Sequence, residues 1–197
     1  NEHLNTLRPM VFTEGVAEAI LAGDADSLDT WLRPVAATRV ADEVMIVDNQ
    51  GEVLLYLTRL DTPLVVQYGE PTPPDISSWE NAQATLSGET DGIGDKFVDV
   101  IPTVLEPGTD NERRSGTIYF NAPVITTDDE QAVVGAVIVG LRMDNLVIQI
   151  SQQALSSVTL FGFDGDVLAT TYRATVDEID DNLDLPPNEV DVIFEDV

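Results

Sequence analysis

The sequence predicts an α+β fold in which one antiparallel sheet is central and a second, incomplete unit follows it. The first observation is a pair of neighbouring strands, residues 117–125 and 132–141, joined by an acidic turn. The second run is nearly unbroken and rich in β-branched residues, which is typical of a strand buried on both faces. The other observation is that a helix followed by a strand–Asp–Gly–strand hairpin occurs twice. This repeat predicts two related units.

The composition is that of a folded and strongly acidic protein. The chain has 197 residues, of which 43% are hydrophobic, and this is enough for an ordinary core. Its net charge is −27, from 36 acidic residues against nine basic ones. Such a surface repels nucleic-acid phosphates and anionic lipid headgroups, so we do not expect nucleic acid as a partner. The acidity fits either adaptation to high salt or an acidic extracytoplasmic protein at ordinary salt.

Residue types exclude several kinds of chemistry. The sequence has no cysteine, and its only histidine, His3, lies near the terminus. Thiolate chemistry is therefore excluded, histidine-dependent catalysis and zinc binding are not expected, and we predict no cofactor. The best apolar run is about half of the roughly 20 residues that a membrane span needs. Because the chain begins at Asn1, we expect a piece of a longer protein whose membrane anchor lies outside it.

Two amphipathic helices are predicted before the first strand. Apolar residues recur at helical spacing through residues 4–21, and Gly23 is the stop signal. Asp26 or Ser27 is expected to cap the second helix, which Pro34 shortens or bends.

The first sheet strands are predicted next. Residues 44–47 and 53–57 indicate a hairpin around a polar loop that contains Gly51. Four prolines between residues 61 and 75 deny ladder hydrogen bonds, so this segment is expected to be extended on the surface.

A short helix and a third strand precede the central hairpin. Ser77 or Ser78 is expected to cap the helix and Gly88 to close it. Residues 96–101 then predict the strand.

The second unit begins after the central hairpin. Residues 145–155 predict a helix, and residues 158–170 repeat the apolar run, Asp, Gly and acidic residue of the first hairpin. Too few strands remain beyond them to complete a copy. We therefore predict a first domain over residues 1–150 and the start of an incomplete unit over residues 151–197.

Four segments carry a resemblance to a known family: Val47 to Leu54, Trp79 to Gly88, Ala122 to Val124, and Val133 to Leu141. Their order resembles the Cache sensor domains, PAS-like extracytoplasmic modules of chemoreceptors, histidine kinases and cyclases. The resemblance implies a PAS-like sheet, a long N-terminal helix emerging from a membrane span and able to form a homodimer, and a membrane-distal pocket for a small-molecule ligand. Residues 151–197 then correspond to the start of the membrane-proximal half of a double Cache domain.

One feature of the family is missing from the sequence. Amino-acid-binding members have a Tyr-x-x-x-x-Arg-x-Trp-Tyr run, and this chain has none. The departure argues against amino-acid ligands.

Strand alternation selects candidate ligand-binding residues. A pocket on one face of a sheet needs polar groups that point inward, because burying them unpaired costs about 1–3 kcal/mol each. Tyr119 and Asn121 share one parity of their strand, as Phe97 and Asp99 do of theirs, and Trp79 is placed to cover them. The alternative is that Tyr119 and Asn121 face solvent and Trp79 fills a gap in the core.

Arg59 and Tyr68 are two further ligand candidates. They flank the proline-rich segment that lies over the pocket in the resembling family. An arginine can pair with a ligand carboxylate in a fork geometry, although an internal salt bridge is the more frequent fate in so acidic a chain. Arg113 and Arg114 are expected to be a solvated pair.

These observations predict a non-catalytic, extracytoplasmic ligand-sensing domain of a membrane receptor. A structural or adhesive extracellular module is the alternative, with calcium at Asp164-Gly165-Asp166 or Asp128-Asp129-Glu130, although neither has the twelve-residue loop spacing. We predict no metal site. A hydrolase with paired carboxylates is a third possibility, but the sequence singles out no pair.

The two interpretations of the acidity differ in a measurable way. If the chain is adapted to high salt, raising KCl from about 0.1 M to about 3 M should raise its unfolding temperature, because ions screen the repulsion among the carboxylates. Thermal unfolding followed by circular dichroism measures this. Equal stability at both concentrations would refute salt adaptation.

Overall fold

The computed structural model describes residues 4–39, 41–60, 66–90, 94–105, 113–126, 131–162 and 165–171. The helices in these ranges are α1 (Leu4–Val11), α2 (Val16–Ala22), α3 (Ala25–Arg39), α4 (Glu80–Leu86) and α5 (Met143–Ala154). The strands are β1 (Glu43–Asp48), β2 (Val53–Leu60), β3 (Gln67–Gly69), β4 (Phe97–Leu105), β5 (Arg113–Ile125), β6 (Val133–Arg142), β7 (Thr159–Phe161) and β8 (Val167–Thr170).

Six of the described strands form one sheet in the order β3-β2-β1-β6-β5-β4. Strand β1 pairs antiparallel with both β2 and β6, and β2 pairs antiparallel with β3. The predicted α+β class with an antiparallel sheet is confirmed. The apolar run in β6 is buried from Val134 to Gly140, as its composition predicted, and it lies inside the sheet between β1 and β5.

One face of the sheet packs against the N-terminal helices. Strand residues alternate between faces, so side chains at every second position share a side. The apolar cluster on this side, called the helix face below, has the following buried members among others: Leu7, Met10, Ile20, Leu28, Leu32, Val44, Ile46, Leu57, Ala122, Val124, Val137 and Val139. The other side of the sheet is called the opposite face, and by alternation it carries Glu43, Tyr56, Ile138, Tyr119 and Asn121.

The N-terminal region differs from the single long helix that the resemblance implied. It contains α1, α2 and α3 because two glycines adopt left-handed backbone, Gly15 with φ 90° and Gly23 with φ 64°. At Gly15 a side chain would also meet the ring of Trp31, 2.9 Å away. The predicted caps are wrong as well: Asp24 caps α3, accepting a bond of 3.1 Å from the backbone of Ser27. The Ser27 hydroxyl also donates to Asp24 at 2.7 Å. The bonds from this hydroxyl and from the Ser27 backbone N–H lower the pKa of Asp24.

The proline-rich segment contains a short strand that the sequence did not predict. Strand β3 pairs with β2 at the edge of the sheet, with Tyr68 opposite Arg59. Its three residues include no proline, so their N–H groups remain available for the ladder. The tyrosine also anchors the segment, since its hydroxyl donates to the carbonyl of Ala41 at 2.7 Å.

The chain forms two compact units. One comprises residues 1–99 and 119–140, and the other comprises residues 100–118 and 141–197. In the second unit, Met143 and Val147 of α5 are buried in a small cluster with Ala169 of β8, and β7 and β8 form the predicted hairpin. The predicted division at residue 150 follows the repeat in the sequence and stays a prediction. No helix in the described ranges is long and apolar enough to cross a membrane.

Gly135 of β6 provides a test of the sheet's packing. A Cβ atom there would overlap the carbonyl oxygen of Val47 and lie 3.0 Å from Ile20. Because backbone cannot move aside as a side chain can, we expect Gly135→Ala to destabilise the chain by about 3 kcal/mol or more in urea unfolding. The control is Gly69→Ala, whose Cβ would meet only the end of the Leu60 side chain at 3.2 Å. Equal losses in both variants would contradict this packing.

Candidate ligand-binding site

Four of the predicted site residues come together on the opposite face of the sheet. Trp79, Asp99 and Tyr119 are each 6% exposed, and Asn121 is fully buried. The rings of Trp79 and Tyr119 pack with centroids 4.5 Å apart at an angle of 36°. The expectation that Tyr119 and Asn121 face inward is therefore confirmed, and the solvent-facing alternative is wrong. We call these four residues, with Glu43, Tyr56 and Asn81, the polar cluster.

Glu43 forms one half of the polar cluster. Its carboxylate is 7% exposed, and its Oε2 atom accepts hydrogen bonds from Tyr119 at 2.6 Å and Tyr56 at 2.8 Å. The three side chains meet because Glu43 and Tyr56 occupy the same face of the paired strands β1 and β2. A buried carboxylate needs such donors, since leaving a charge unpaired in the interior is costly.

Asp99 forms the other half. Its Oδ2 atom accepts a bond of 2.7 Å from the side-chain amide of Asn121, and its Oδ1 atom accepts one of 3.3 Å from the backbone N–H of Asn81. The second bond satisfies a donor in the first turn of α4. The predicted cap by Ser77 or Ser78 is therefore wrong. Trp79 occupies the N-cap position without a side-chain cap, and a carboxylate from β4 serves the helix start.

The amide oxygen of Asn121 is the unsatisfied atom of the cluster. It is buried and accepts no hydrogen bond from any residue that the structure describes. The same side chain donates to Asp99, so its orientation is fixed by that bond. Leaving such an acceptor unpaired costs about 1–3 kcal/mol.

Phe97 is half-buried and has the parity of Asp99 on β4. The assignment of Phe97 as a ligand-binding residue stays a prediction.

Arg59 and Tyr68 are not brought together with the polar cluster. Tyr68 packs against the apolar cluster of the helix face, and Arg59 shares its side of β2 with Leu57. The guanidinium of Arg59 lies 3.1 Å from Asp42, which is only 2% exposed, so the internal salt bridge expected from the sequence is present. Their assignment as ligand-binding residues stays a prediction.

The sequence did not single out Glu43, Tyr56 or Asn81. A signal for Glu43 was available, because it is a charged residue directly before the apolar run of β1. Tyr56 likewise has the parity opposite to Leu55 and Leu57, which belong to the helix face. Asn81 carries no such signal, since its role depends on where α4 meets β4.

The calcium candidates give no site among the described residues. Residues 128–130 and 164 lie outside them, while Gly165 and Asp166 take part in a turn, where Gly162 donates to the carbonyl of Asp166 at 2.8 Å. In the part of the chain that the structure covers, no group of three or more acidic or histidine side chains is placed to hold a metal ion.

A separate groove of about 740 Å³ lies on the helix side of the first unit. It is lined by the end of α1, the start of α2 and parts of β5, with Arg8, Phe12, Glu14, Glu18 and Lys96 among its residues. Phe12 is 79% exposed there.

Comparisons with known proteins identify the fold. No protein-family model matches the chain, and no curated protein matches it in sequence. Solved structures match. A domain of a sensory box/GGDEF family protein from Vibrio parahaemolyticus has a TM-score of 0.62 at 10% identity, covering 99% of this chain and 72% of that one. The extracellular domain of a histidine kinase has a TM-score of 0.61 at 10% identity, covering 99% and 68%.

A methyl-accepting chemotaxis protein also matches, with a TM-score of 0.55 at 14% identity and coverage of 90% of this chain and 72% of that one. At these identities the likeness establishes the fold alone. The chain has the fold of Cache-like sensory domains, and the resemblance seen in the sequence is confirmed at that level.

Two tyrosines give a pH-dependent signature of this packing. Burial raises the pKa of Tyr56 to about 12, and burial likewise raises the pKa of Tyr68 to about 12. Both are raised above the ordinary value near 10, so the unfolded chain loses these protons first. The contribution of these two pKa shifts to the free energy of unfolding is complete below about pH 10 and is lost as pH rises towards 12.

We expect urea unfolding to show the free energy of unfolding falling across that window, by about 1 kcal/mol per tyrosine after allowance for their half exposure. The double variant Tyr56→Phe/Tyr68→Phe should lose this part of the pH dependence. An unchanged slope in the variant would contradict the assignment.

Proposed function

We propose that this chain is an extracytoplasmic ligand-sensing domain of a transmembrane signal-transduction receptor, such as a histidine kinase, cyclase or chemoreceptor. The ligand is a small molecule that binds against the polar cluster on the opposite face of the sheet. Segments outside this chain anchor the receptor in the membrane. The output lies in a domain outside this chain.

The single observation that carries the proposal is the buried, unsatisfied oxygen of Asn121 beside a packed aromatic pair. A purely structural core gains nothing from leaving this acceptor unpaired. A binding site does gain from such an acceptor, because a hydrogen-bond donor of the ligand can pair with the Asn121 oxygen when the ligand binds. The aromatic rings of Trp79 and Tyr119 supply apolar contact area next to it.

The fold supports the same role. Matching structures are described as domains of a sensory box/GGDEF protein, a histidine kinase and a chemotaxis protein. Fold by itself does not fix function, so the polar cluster has to carry the proposal.

The domain is proposed to be non-catalytic. The two carboxylates of the polar cluster, Glu43 and Asp99, are each held by two donors of the fold itself. Carboxylates fixed in this way position neighbouring groups, whereas a general acid or base needs a proton that it can exchange with a substrate.

Dimerisation through the N-terminal helices is also proposed. Phe12 and Leu21 are 79% and 64% exposed, which supports an interaction on this side of the first unit.

A ligand screen tests the sensing role. A ligand at about 100 times its Kd stabilises the folded state by about 2.7 kcal/mol, so a metabolite that binds should raise the unfolding temperature by several degrees. The variant Trp31→Phe leaves Trp79 as the only tryptophan, and its fluorescence should change with the same ligand.

The control for position is Trp79→Phe, in which the remaining Trp31 should report no change. A broad screen without a thermal shift would count against a sensor. A ligand that shifts the melting temperature without affecting Trp79 would place binding elsewhere and refute the assigned site.

A further inference from the structure

We propose that the groove on the helix side of the first unit is a second binding site, which takes an uncharged molecule with an aromatic or other apolar ring. None of the residues of the polar cluster lines this groove. The inference therefore goes beyond the proposed function and does not depend on it, so that the two can fail separately.

The groove has room for a small molecule. Its volume of about 740 Å³ lies within the range of about 300–1,000 Å³ that is common for small-molecule sites. It is formed by the turn that joins α1 to α2, by the end of β5 and by the residues just before β4. All of these belong to the first unit, so the shape of the groove is set within one compact body.

Apolar side chains line the groove from two parts of the chain. The N-terminal helices and the turn between them contribute Val11, Phe12 and Ala17, and the end of β5 contributes Ala122, Pro123 and Ile125. Phe12 is 79% exposed and Ile125 is 39% exposed, so the fold itself leaves much of their apolar surface in water. A ligand ring that contacts both would remove this surface from water, which is the main source of affinity in such sites.

The charged side chains of the lining disfavour an ion of either sign. They are Arg8, Glu14, Glu18, Asp95 and Lys96. Lys96 and Asp95 neutralise each other, because their Nζ and Oδ1 atoms lie 2.6 Å apart. Neither Arg8 nor the two glutamates form an ion pair with a residue that the structure describes. An anion would therefore meet the glutamates and a cation would meet Arg8, and either would lose hydration beside apolar walls. A neutral ligand avoids both costs.

Trp31 gives the groove a reporter of its own. Gly15 lines the groove, and a Cβ atom on Gly15 would lie 2.9 Å from the Trp31 ring. The indole of Trp31 thus lies directly behind the lining, whereas Trp79 belongs to the polar cluster. Each of the two sites therefore has one tryptophan beside it.

The proposed dimer does not require the groove. Leu21 is 64% exposed and lies on α2, but it is not part of the groove lining. A contact between two copies through Leu21 leaves Phe12 accessible to a ligand. Leu21 also provides a matched control, because it is a second exposed apolar side chain in the same helical region.

Three probes of nearly equal size test the class of ligand: 2-phenylethanol, 2-phenylethylamine and phenylacetate. At pH 7 they are neutral, cationic and anionic. Each is titrated into the ¹⁵N-labelled full chain on the order of 0.5–50 mM, because ligands with a single ring bind weakly. We expect 2-phenylethanol to shift the Trp31 indole N–H and the Gly15 backbone N–H saturably, while the Trp79 indole stays in place. The amine and the acid should each bind at least about fivefold more weakly.

Matched variants locate the binding. Phe12→Ala and Ile125→Ala should each weaken 2-phenylethanol binding by about fivefold or more, since each removes apolar contact area from the ligand. Leu21→Ala should leave it unchanged. All three side chains are exposed in the fold, and urea unfolding checks that the variants remain folded. The metabolite screen is repeated on Phe12→Ala, so that compounds bound in the groove are not assigned to the polar cluster.

Several outcomes would overturn the proposal. Tighter binding of the amine or the acid at Trp31 would refute the neutral class. No binding of any probe, shifts at Trp79 alone, or binding unaffected by both Phe12→Ala and Ile125→Ala would refute the groove as the site. A dimer in sedimentation velocity that Phe12→Ala dissociates and 2-phenylethanol does not would assign the groove to a second copy of the chain. None of these results decides the proposed function, which is tested by ligands that shift Trp79.

Discussion

The burial of β6 on both faces is the constraint on which the first unit depends. Every residue from Val134 to Gly140 is buried, so each side of the sheet must be covered at its centre. On one side Val137 and Val139 pack into the apolar cluster of the N-terminal helices. The neighbouring strands β1 and β5 then present their alternate residues to the other side, and this is where the polar cluster lies.

That second side explains how a fold can keep polar groups in its interior. Glu43 and Asp99 are tolerated because each has two hydrogen-bond donors at short range. The donors come from strands β2 and β5 and from helix α4, and the carboxylates come from β1 and β4, so the cluster forms only when the sheet is complete. Asn121 is the member whose hydrogen bonding the fold leaves incomplete. In the proposed site, this open acceptor is the atom that a hydrogen-bond donor of the ligand would complete.

The sequence predicted much of the fold because its periodicities are local. The alternation on β5 placed Tyr119 and Asn121 together, and the apolar run of β6 indicated its central position. The cap from Asp99 to α4 was not predictable, because it depends on a contact between residues 18 positions apart. Glu43 had a local signal, its charge directly before the apolar run of β1, but its pairing with Tyr119, 76 residues away, was not predictable.

Another error came from giving the spacing of apolar residues more weight than backbone conformation at a glycine. The spacing of apolar residues through residues 4–21 suited one helix, but Gly15 adopts positive φ and has the Trp31 ring where a side chain would lie. Arg59 has the parity of Leu57, which belongs to the helix face, and its assignment as a ligand-binding residue stays a prediction.

The claim that the polar cluster binds a ligand, instead of merely packing the core, is tested most directly by nuclear magnetic resonance. A ¹⁵N-labelled chain titrated with a ligand from the screen reports separately on the Asn121 side-chain amide and the Trp79 indole N–H. If the cluster is the site, these two signals should shift together and saturate with the same Kd, while the Trp31 indole stays in place. Saturable shifts confined to residues around Phe12, with Asn121 and Trp79 unmoved, would contradict it.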